Sequence, residues 1–270
     1  MVLVLVGEKK LMAQWSFVRY DLQSGRKTFE SQMVAVEKLV RVHVNGTHLF
    51  TFFTSPGMEK ELAIGHMLTE AVIKSVHDVE EIRILNDGRD INVRLKRAFR
   101  FPKAKPKFYT SAVVDFTDFA EMLNRVKPLP LSPDIKVGVK DLRRMVEVAE
   151  ERGIVHRESR GCHLAAIFTK DANLISFSED VGRHNAVDKV IGAAALKGAE
   201  FSRLVLLSSG RQSAHMVLKS AIVGIPVIIT LAYPLKSGLD VAEKAKITLI
   251  HFRRGERFLK IFTFPERISY

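Results

Sequence analysis

Three polar segments carry most of the side chains that could do chemistry, and each follows a predicted strand. They are residues 179–185 (EDVGRHN), 208–213 (SSGRQS) and 252–257 (FRRGER). In the first two, a glycine lets the backbone approach a ligand closely, and the next helix begins with N–H groups that have no intrahelical partner. Such a helix end favours a phosphate, to which each segment's arginine adds a planar, bidentate donor. These two segments therefore predict an anion-binding site.

Neither segment matches the phosphate-loop or dinucleotide-binding patterns, and each alone also fits an ordinary turn before a helix. Two of them at equivalent sheet positions, in a chain of net charge +12, favour ligand binding. The third segment, by its spacing alone, fits an ordinary loop with solvated arginines. The candidate ligand-binding residues of the first two segments are Gly182, Arg183, His184, Ser209, Gly210 and Arg211.

The chain has one cysteine, Cys162, and His163 follows it. A thiol beside an imidazole and near Arg160 could be activated as a thiolate, so Cys162 is a candidate nucleophile. The alternative is a small buried residue that enters a strand, because free cysteine is among the most buried residue types. Neighbouring strand residues point to opposite faces, so His163 is a separate candidate for ligand contact. A single cysteine excludes Cys-x-x-Cys metal sites, and we predict no metal site.

Composition limits the class of protein and where it works. The 270 residues suffice for one large domain or two smaller ones. The apolar runs at 2–6 and 225–232 are far shorter than the roughly 20 residues that span a bilayer, and the N-terminus lacks a signal-peptide pattern. We therefore expect a cytoplasmic protein without membrane contact.

The net charge of +12 attracts anions, among them phosphorylated cofactors, nucleic acids and acidic partners. Solubility alone could also account for this charge. No basic strand pattern interleaved with aromatic residues is present, which disfavours a nucleic-acid-binding module.

The elements of the first half are predicted from turn residues and strand patterns. Two hairpins turn at Asn45-Gly46 and at 86–88, and a helix opens at 55–57. The basic, proline-broken stretch 97–106 is predicted to be a loop or linker. The predicted strands are 34–44, 48–53, 79–85 and 91–95; helices follow the linker at 118–126 and 140–152, separated by a break at 128–133.

Strands and helices alternate in the second half, where the three polar segments lie. This alternation favours parallel pairing with helices on the sheet faces, so we predict an α/β fold. The predicted strands are 163–168, 174–178, 203–208, 225–231, 248–252 and 258–264, and the predicted helices are 184–197, 213–223 and 239–245.

Several motifs together resemble the FdhD family of formate dehydrogenase accessory proteins, over about residues 32–264. The resemblance implies a cytidine-deaminase-like α/β/α core at 136–270, a smaller α+β domain with its linker at 1–135, and a homodimer. The motifs are 161–166 (GCHLAA), 179–189 (EDVGRHNAVDK), 209–213 (SGRQS), 34–37 (VAVE), 44–46 (VNG) and 54–57 (TSPG) leading into 61–65 (ELAIG), with 221–228 and 252–257 in addition.

The resemblance also implies an activity. In this family a cysteine persulfide takes sulfur from a cysteine desulfurase and passes it to bis-molybdopterin guanine dinucleotide, which carries molybdenum or tungsten and then enters formate dehydrogenase. GDP or GMP would be a partial ligand. Family cofactor binding maps onto Phe252, Arg253, Arg254, Gly255, Glu256 and Arg257, which replaces the interpretation of this segment as an ordinary loop.

Two departures from the family pattern affect the predicted activity. The family's Cys-Gly-x-Cys-Gly signature is missing, because Phe108-Tyr109-Thr110-Ser111 continues into Ala112-Val113-Val114-Asp115. Two functions therefore stay open: an accessory protein that supports cofactor sulfuration, or a non-catalytic cofactor carrier or regulator. Glu256 stands where family members often have glycine, so its carboxylate must point away from phosphates or meet a base or a hydroxyl. Deamination is not implied, because zinc deaminases need a Pro-Cys-x-x-Cys motif.

Overall fold

The structure is a computed structural model, and it describes residues 5–6, 9–96, 107–109, 126 and 135–270. The predicted linker at 97–106 and the predicted break at 128–133 lie outside the described residues. So do the predicted helix at 118–126, apart from Val126, and the segment after Tyr109 that replaces the family's cysteine signature.

The first half contains the two predicted hairpins and two further antiparallel strand pairs that the sequence did not indicate. Asn45 (φ 49°) and Gly46 (φ 79°) both lie in the left-handed region, as the predicted turn requires. The predicted strand 34–44 is wrong at its start: one strand ends at Ala35 and the next begins at Lys38. The strands are β1 (Leu5–Val6), β2 (Lys9–Lys10), β3 (Met12–Tyr20), β4 (Lys27–Ala35), β5 (Lys38–Val44), β6 (Thr47–Thr54), β7 (Val79–Leu85), β8 (Asp90–Leu95) and β9 (Lys107–Tyr109).

These strands form three separate sheets. β1 pairs with β2, and β3 pairs with β4 as a long antiparallel hairpin. The other five strands form one mixed sheet in the order β7-β8-β5-β6-β9.

The second half supplies β10 (Val137–Gly138), β11 (His163–Thr169), β12 (Leu174–Asp180), β13 (Leu204–Ser208), β14 (Val227–Thr230), β15 (Thr248–His251), β16 (Lys260–Ile261) and β17 (Ile268–Ser269). Six of them form a sheet in the order β12-β11-β13-β14-β15-β16. The predicted parallel pairing is confirmed for β13, β14 and β15, but β11 is antiparallel to both of its neighbours. The strand predicted at 258–264 is reduced to Lys260–Ile261, because Thr263 bonds the backbone of Leu249 and Ile247 through its side chain.

Six helices lie in the described part of the chain: α1 (Glu59–Thr69), α2 (Val139–Arg152), α3 (Ile154–Ser159), α4 (Arg183–Leu196), α5 (Ala214–Val223) and α6 (Lys236–Ala245). α3 was not predicted, because Gly153 was expected to end α2 with no helix directly after it. A long-range contact accounts for α3: the Glu179 carboxylate accepts hydrogen bonds from the N–H groups of Val155 and His156 at its start. None of these helices combines the length and the apolar character that crossing a bilayer requires.

Apolar clusters cover both faces of the six-stranded sheet. On one face, residues such as Leu206 pack with α1, α4 and the five-stranded sheet; on the other, residues such as Leu207 pack with α2. α1 and α4 cross at two glycines: a Cβ on Gly65 would lie 1.8 Å from the Asp188 carbonyl oxygen, and one on Gly192 would lie 1.9 Å from the Glu61 carbonyl oxygen. The crossing holds α4, whose first turn belongs to the predicted site, against the core. The α/β class is thus confirmed, while the cytidine-deaminase-like description and the division near residue 135 stay predictions.

Candidate anion-binding edge of the six-stranded sheet

The strand register brings the three predicted segments to one edge of the six-stranded sheet. Asp180 at the end of β12 pairs with His163 at the start of β11. Ser208 at the end of β13 pairs with Thr230 at the end of β14, which in turn pairs with His251 at the end of β15. The turns after β12, β13 and β15 therefore lie at the same edge, each separated from the next by one strand, in the place where open α/β sheets bind ligands.

Asp180 fixes the first of these turns from inside the protein. It is fully buried, and its carboxylate contacts donors from two distant parts of the chain. Oδ2 accepts from Thr54 Oγ1 (2.5 Å), Ser55 N (3.1 Å) and Lys189 Nζ (2.6 Å), and Oδ1 accepts from Gly182 N (2.9 Å) and Asn185 Nδ2 (3.1 Å). The acidic residue of this motif therefore organises the turn and does not face a ligand.

Arg183 and the second turn meet directly. A Cβ on Gly210 would lie 2.8 Å from the Arg183 Cβ, so the approach of the two turns requires glycine. The Arg183 Nε is buried and has no hydrogen-bond partner among the described residues. Burial, and then the nearby positive charge of Arg211, lower the pKa of Arg183. Two arginines that repel each other at a sheet edge form a site that an anion would stabilise.

His184 lies in the first turn of α4 beside the start of α5. It is 8% exposed, and its ring centroid is 5.1 Å from that of His215. Burial and the charge of Lys219 lower the pKa of His184 to about 2, so the ring is neutral at physiological pH. Its buried Nδ1 has no hydrogen-bond partner within the described ranges, whereas His215 Nε2 lies 3.0 Å from a Glu70 carboxylate oxygen. The His184 Nδ1 is therefore a buried ring nitrogen whose hydrogen-bonding capacity is unused among the described residues.

His163 and Ser209 contact each other, as two candidates for one site should. The His163 Nδ1 lies 3.4 Å from the Ser209 Oγ, and that oxygen also accepts from the Leu164 N–H. Burial, followed by the charges of His156 and Arg183, lowers the pKa of His163. These two residues extend the Arg183–Arg211 cluster along the sheet edge.

Cys162 lies in a different environment. It is 5% exposed and packs with Met12 and Val155, and its Sγ is 3.8 Å from the Ser55 Oγ. Burial raises the pKa of the thiol to about 11, against the lowering effect of the Ser55 hydroxyl. Because the thiolate is the reactive form, this environment favours the interpretation of Cys162 as a buried packing residue over that of a nucleophile.

The segment 252–257 divides between core and surface. Phe252 is buried in the core, whereas Arg253, Arg254, Gly255 and Arg257 are exposed. Glu256 is half-buried, and its Oε2 lies 3.6 Å from Nδ1 of His251, which is longer than a hydrogen bond. Phe252 therefore serves the fold, and the exposed arginines are the ligand-binding candidates of this segment.

Tyr233 belongs to the same edge and was not predicted. It follows β14, and its ring stacks on that of His251 with 4.2 Å between centroids and 17° between planes. Lys260 Nζ lies 2.5 Å from the Tyr233 hydroxyl. One feature of the sequence could have indicated it. Tyr233 comes just after β14, and the strands before and after β14 in the chain both lead into predicted site segments.

Metal ligation has no candidate here: the described residues contain no group of three or more histidine, cysteine, aspartate or glutamate residues arranged to hold a metal ion.

Comparisons with known proteins agree on one family. The profile of the FdhD/NarQ family matches residues 35–269. The Sulfur carrier protein FdhD of Sulfolobus acidocaldarius is 34% identical over 249 residues, which is 92% of this chain and 96% of that protein. Its counterpart in Methanothermobacter thermautotrophicus is 34% identical over 234 residues, 85% of this chain and 88% of that one. A crystal structure of a protein from Desulfotalea psychrophila, described as a formate dehydrogenase accessory protein, superposes with a TM-score of 0.78 at 25% identity and covers 96% of this chain and 100% of its own.

Proposed function

Because the chain belongs to the FdhD/NarQ family, we propose that it is a formate dehydrogenase accessory protein that binds bis-molybdopterin guanine dinucleotide carrying molybdenum or tungsten. One observation supports the binding part above the others. Arg183 packs against Gly210 near enough to Arg211 for that charge to lower its pKa, and the buried Arg183 Nε has no hydrogen-bond partner among the described residues. A phosphate group of the cofactor would supply the acceptor that this nitrogen lacks.

The residues at the edge fit a phosphorylated molecule in several ways. The first N–H groups of α4 and α5 have no intrahelical partners, and they lie at the positive ends of the two helix dipoles. The Asp180 carboxylate is already occupied by Gly182, Asn185 and Lys189, so it adds little unpaired negative charge at the phosphate position. The neutral His184 can donate or accept a hydrogen bond without repelling the ligand.

Guanine-nucleotide binding by calorimetry tests this proposal, with GDP as the probe and GMP as the shorter probe. We expect Arg183→Ala, Arg211→Ala and Arg257→Ala each to weaken GDP binding by about 1–3 kcal/mol, the range for hydrogen bonds to charged groups. Arg19→Ala is the matched control, because Arg19 is an exposed arginine on β3 that pairs with Glu30. Unchanged affinity in all three folded variants would refute the binding site.

Support for sulfur transfer is weaker than support for binding. The chain's single cysteine is 5% exposed, and burial raises its pKa to about 11. A persulfide on Cys162 would require the thiol to become accessible and to ionise. The alternative to sulfur transfer is a cofactor carrier or regulator that has lost sulfurtransferase activity.

Labelled sulfur separates the two functions. The full chain is incubated with a cysteine desulfurase and labelled cysteine, and the label on the protein is measured with Cys162→Ala as the control. Label that depends on Cys162 and moves to the cofactor supports sulfur transfer. A chain that binds GDP and takes up no label supports the carrier.

Family membership also supports proposals about partners and location. We expect a homodimer that meets a cysteine desulfurase and formate dehydrogenase in the cytoplasm. The net charge of +12 suits acidic surfaces on either partner. Sedimentation of the chain alone, and then with each partner, tests these contacts one at a time.

A further inference from the structure

We infer that the β3–β4 hairpin (residues 12–35), which we call the ribbon, is an interaction surface for a second copy of this chain, and that the two copies pair antiparallel along their β3 strands. The ribbon carries none of the candidate ligand-binding residues. Residues 12–34 also precede residue 35, where the match to the family profile begins, so that match gives the ribbon no role. The inference rests on the proposed function only in that it gives the expected homodimer a definite surface.

The ribbon is exposed although it is rich in large apolar side chains. Phe29 is 89% exposed, Trp15 is 67% exposed, and Val18 and Tyr20 are each 52% exposed. Its base is held by an apolar cluster around the fully buried Met12. A two-stranded hairpin without further support is only marginally stable in water, and exposed apolar patches mark interaction sites. A partner that covers the ribbon would therefore stabilise it.

The edges of the ribbon lack the features that normally prevent a strand from pairing with another chain, which are charges, prolines and bulges. Among the described strands, β3 and β4 pair only with each other, through nine consecutive residue pairs without a register shift. The ribbon contains no proline, and its stretches 12–18 and 31–35 contain no charged residue, although 27% of the chain is charged. By contrast, the edge strand β7 carries Glu80, Glu81 and Arg83 and has a register shift after Val79.

β3 is the edge of the ribbon with room for another strand. β4 lies against α3, and no comparably extensive contact joins β3 to any described element other than β4. A strand that extends the ribbon would therefore pair with the outer edge of β3 through backbone hydrogen bonds, with the side chains of β3 as its neighbours.

Charge favours a second copy as the partner. Two chains of net charge +12 repel each other, so the surfaces on which they meet must be poor in charge, as β3 is. A two-fold axis makes the two β3 strands antiparallel. With the axis at Ser16, Arg19 of one copy lies opposite Ala13 of the other, and Trp15 lies opposite Phe17. No like charges meet, and the aromatic pairs stabilise the contact. A protein attracted by the positive charge would instead meet the basic surfaces of the chain.

This pairing also gives the ribbon the support that it lacks. Two ribbons joined along β3 form one antiparallel sheet of four strands, and three or more strands with an apolar face are stable where a single hairpin is not. The uncharged run 12–18 then lies in the middle of the sheet, away from its edges.

Sedimentation equilibrium of the full chain tests the inference. We expect the wild-type protein to be a dimer, and we expect Ser16→Lys to raise its dissociation constant about tenfold, because the new lysines of the two copies lie next to each other across the axis. Ser31→Lys is the matched control and should leave the dissociation constant unchanged. Ser31 is exposed like Ser16 and pairs directly with it, but it lies one strand further from the second copy. Circular dichroism checks that both variants are folded.

Opposite charges should restore the contact. Ser16→Glu alone should weaken the dimer as Ser16→Lys does. An equimolar mixture of the two variants should associate at least as tightly as the wild-type chain, because a lysine then faces a glutamate across the axis. A variant that had merely lost its fold would not be rescued in this way, so a mixture that stays dissociated contradicts the pairing.

Trp15 reports on the contact directly, because it is the chain's single tryptophan. Quenching of its emission by acrylamide should decrease with rising protein concentration as the dimer forms. Ser16→Lys should keep the strong quenching of the dilute wild-type protein over the same concentrations. Quenching that does not change while the wild-type chain dimerises would place the interface away from β3.

The outcomes separate this inference from the proposed function. If the wild-type chain is a dimer and Ser16→Lys does not weaken it, the ribbon surface is wrong and the homodimer stands. If the wild-type chain is a monomer at every concentration, the ribbon contact and the homodimer both fail. GDP binding, measured on the same preparations, tests the cofactor site separately, and Ser16→Lys should bind GDP as the wild-type chain does.

Discussion

The turns at 181–183 and at 253–257 lie at the same sheet edge and are held in different ways. The first is bonded to a buried carboxylate, Asp180, which also binds Thr54, Ser55 and Lys189 in the interior. The second is closed by its own bond from Glu256 N to Arg253 O, and the Glu256 side chain approaches His251 only to 3.6 Å. Contacts with the buried core thus fix the conformation of the turn at 181–183 without a ligand. The turn at 253–257 instead presents exposed arginine side chains.

This difference predicts where substitutions act. Changes around the first turn should reduce stability, because they disturb buried charge and close packing. Changes in the second turn should leave stability nearly unchanged and act on binding.

Asp180→Ala should be the most damaging of these changes. It leaves the ammonium of Lys189, which is 1% exposed, buried without its carboxylate, and breaking such a pair costs about 3–5 kcal/mol. Urea unfolding followed by circular dichroism measures the loss. Asp240→Ala is the matched control, because it removes the partner of the exposed Lys236 and should cost less than about 1 kcal/mol. Equal losses in the two variants would mean that Asp180 does not hold the turn.

Gly65→Ala tests the packing that fixes α4 and hence the first turn. The new methyl group would lie 1.8 Å from the Asp188 carbonyl oxygen, so α1 and α4 must separate. Overpacking of this kind costs about 1–3 kcal/mol or more. Gly161→Ala is the control, because its Cβ would meet no atom nearer than the Ala35 Cβ at 3.4 Å. A midpoint of thermal unfolding that does not fall below that of the control would contradict the close crossing.

The same two turns show what the sequence could and could not reveal. The glycines, the arginines and the strand ends were visible locally, so the edge that gathers them was predictable. Which of these residues face the interior was not predictable, because the Asp180 carboxylate is hydrogen-bonded to Thr54, which lies 126 residues away in sequence. Asp188 and Lys189, in the same motif, likewise turned out to be buried in ion pairs. A run of polar residues in sequence does not say which members face inward, since that depends on contacts with distant strands.

Long-range contacts also explain where the fold predicted from the sequence was wrong. Glu179, whose carboxylate caps α3, lies 23 residues after His156, so Gly153 alone indicated a helix end where a second helix begins. The stack of the Tyr233 ring on His251 depends on the pairing of β14 with β15, which residue spacing does not display. Hairpins closed by Asn45-Gly46 were predictable, because their geometry is encoded in two adjacent residues.

His184 gives the first turn a dependence on pH. Folding lowers its pKa from 6.5 to about 2, chiefly through burial, so the unfolded chain takes up the proton first as the pH falls. Its contribution to stability is complete above pH 6.5 and is lost progressively below it, by at most about 1.4 kcal/mol per pH unit. We therefore expect His184→Gln to unfold with a shallower pH dependence between pH 6.5 and 4.5, by about 2 kcal/mol over that range.

Urea midpoints at several pH values measure this slope. His77→Gln is the control, because His77 is exposed and should leave the slope of the wild-type chain in place. If His184→Gln and His77→Gln have the same pH dependence, the ring of His184 is accessible to protons in the folded protein.

Glu256→Ala should have the smallest effect on stability, and it completes the comparison of the two turns. Both turns carry an acidic residue, but about a third of the Glu256 side chain is exposed, and its partner His251 has a pKa lowered chiefly by burial. A neutral imidazole at 3.6 Å gives the carboxylate no ion pair to lose, so we expect a change within about 0.5 kcal/mol in urea unfolding. A loss as large as that of Asp180→Ala would show that both turns are held by buried charge, and the distinction between a turn set by the core and a turn reserved for ligand contact would not hold.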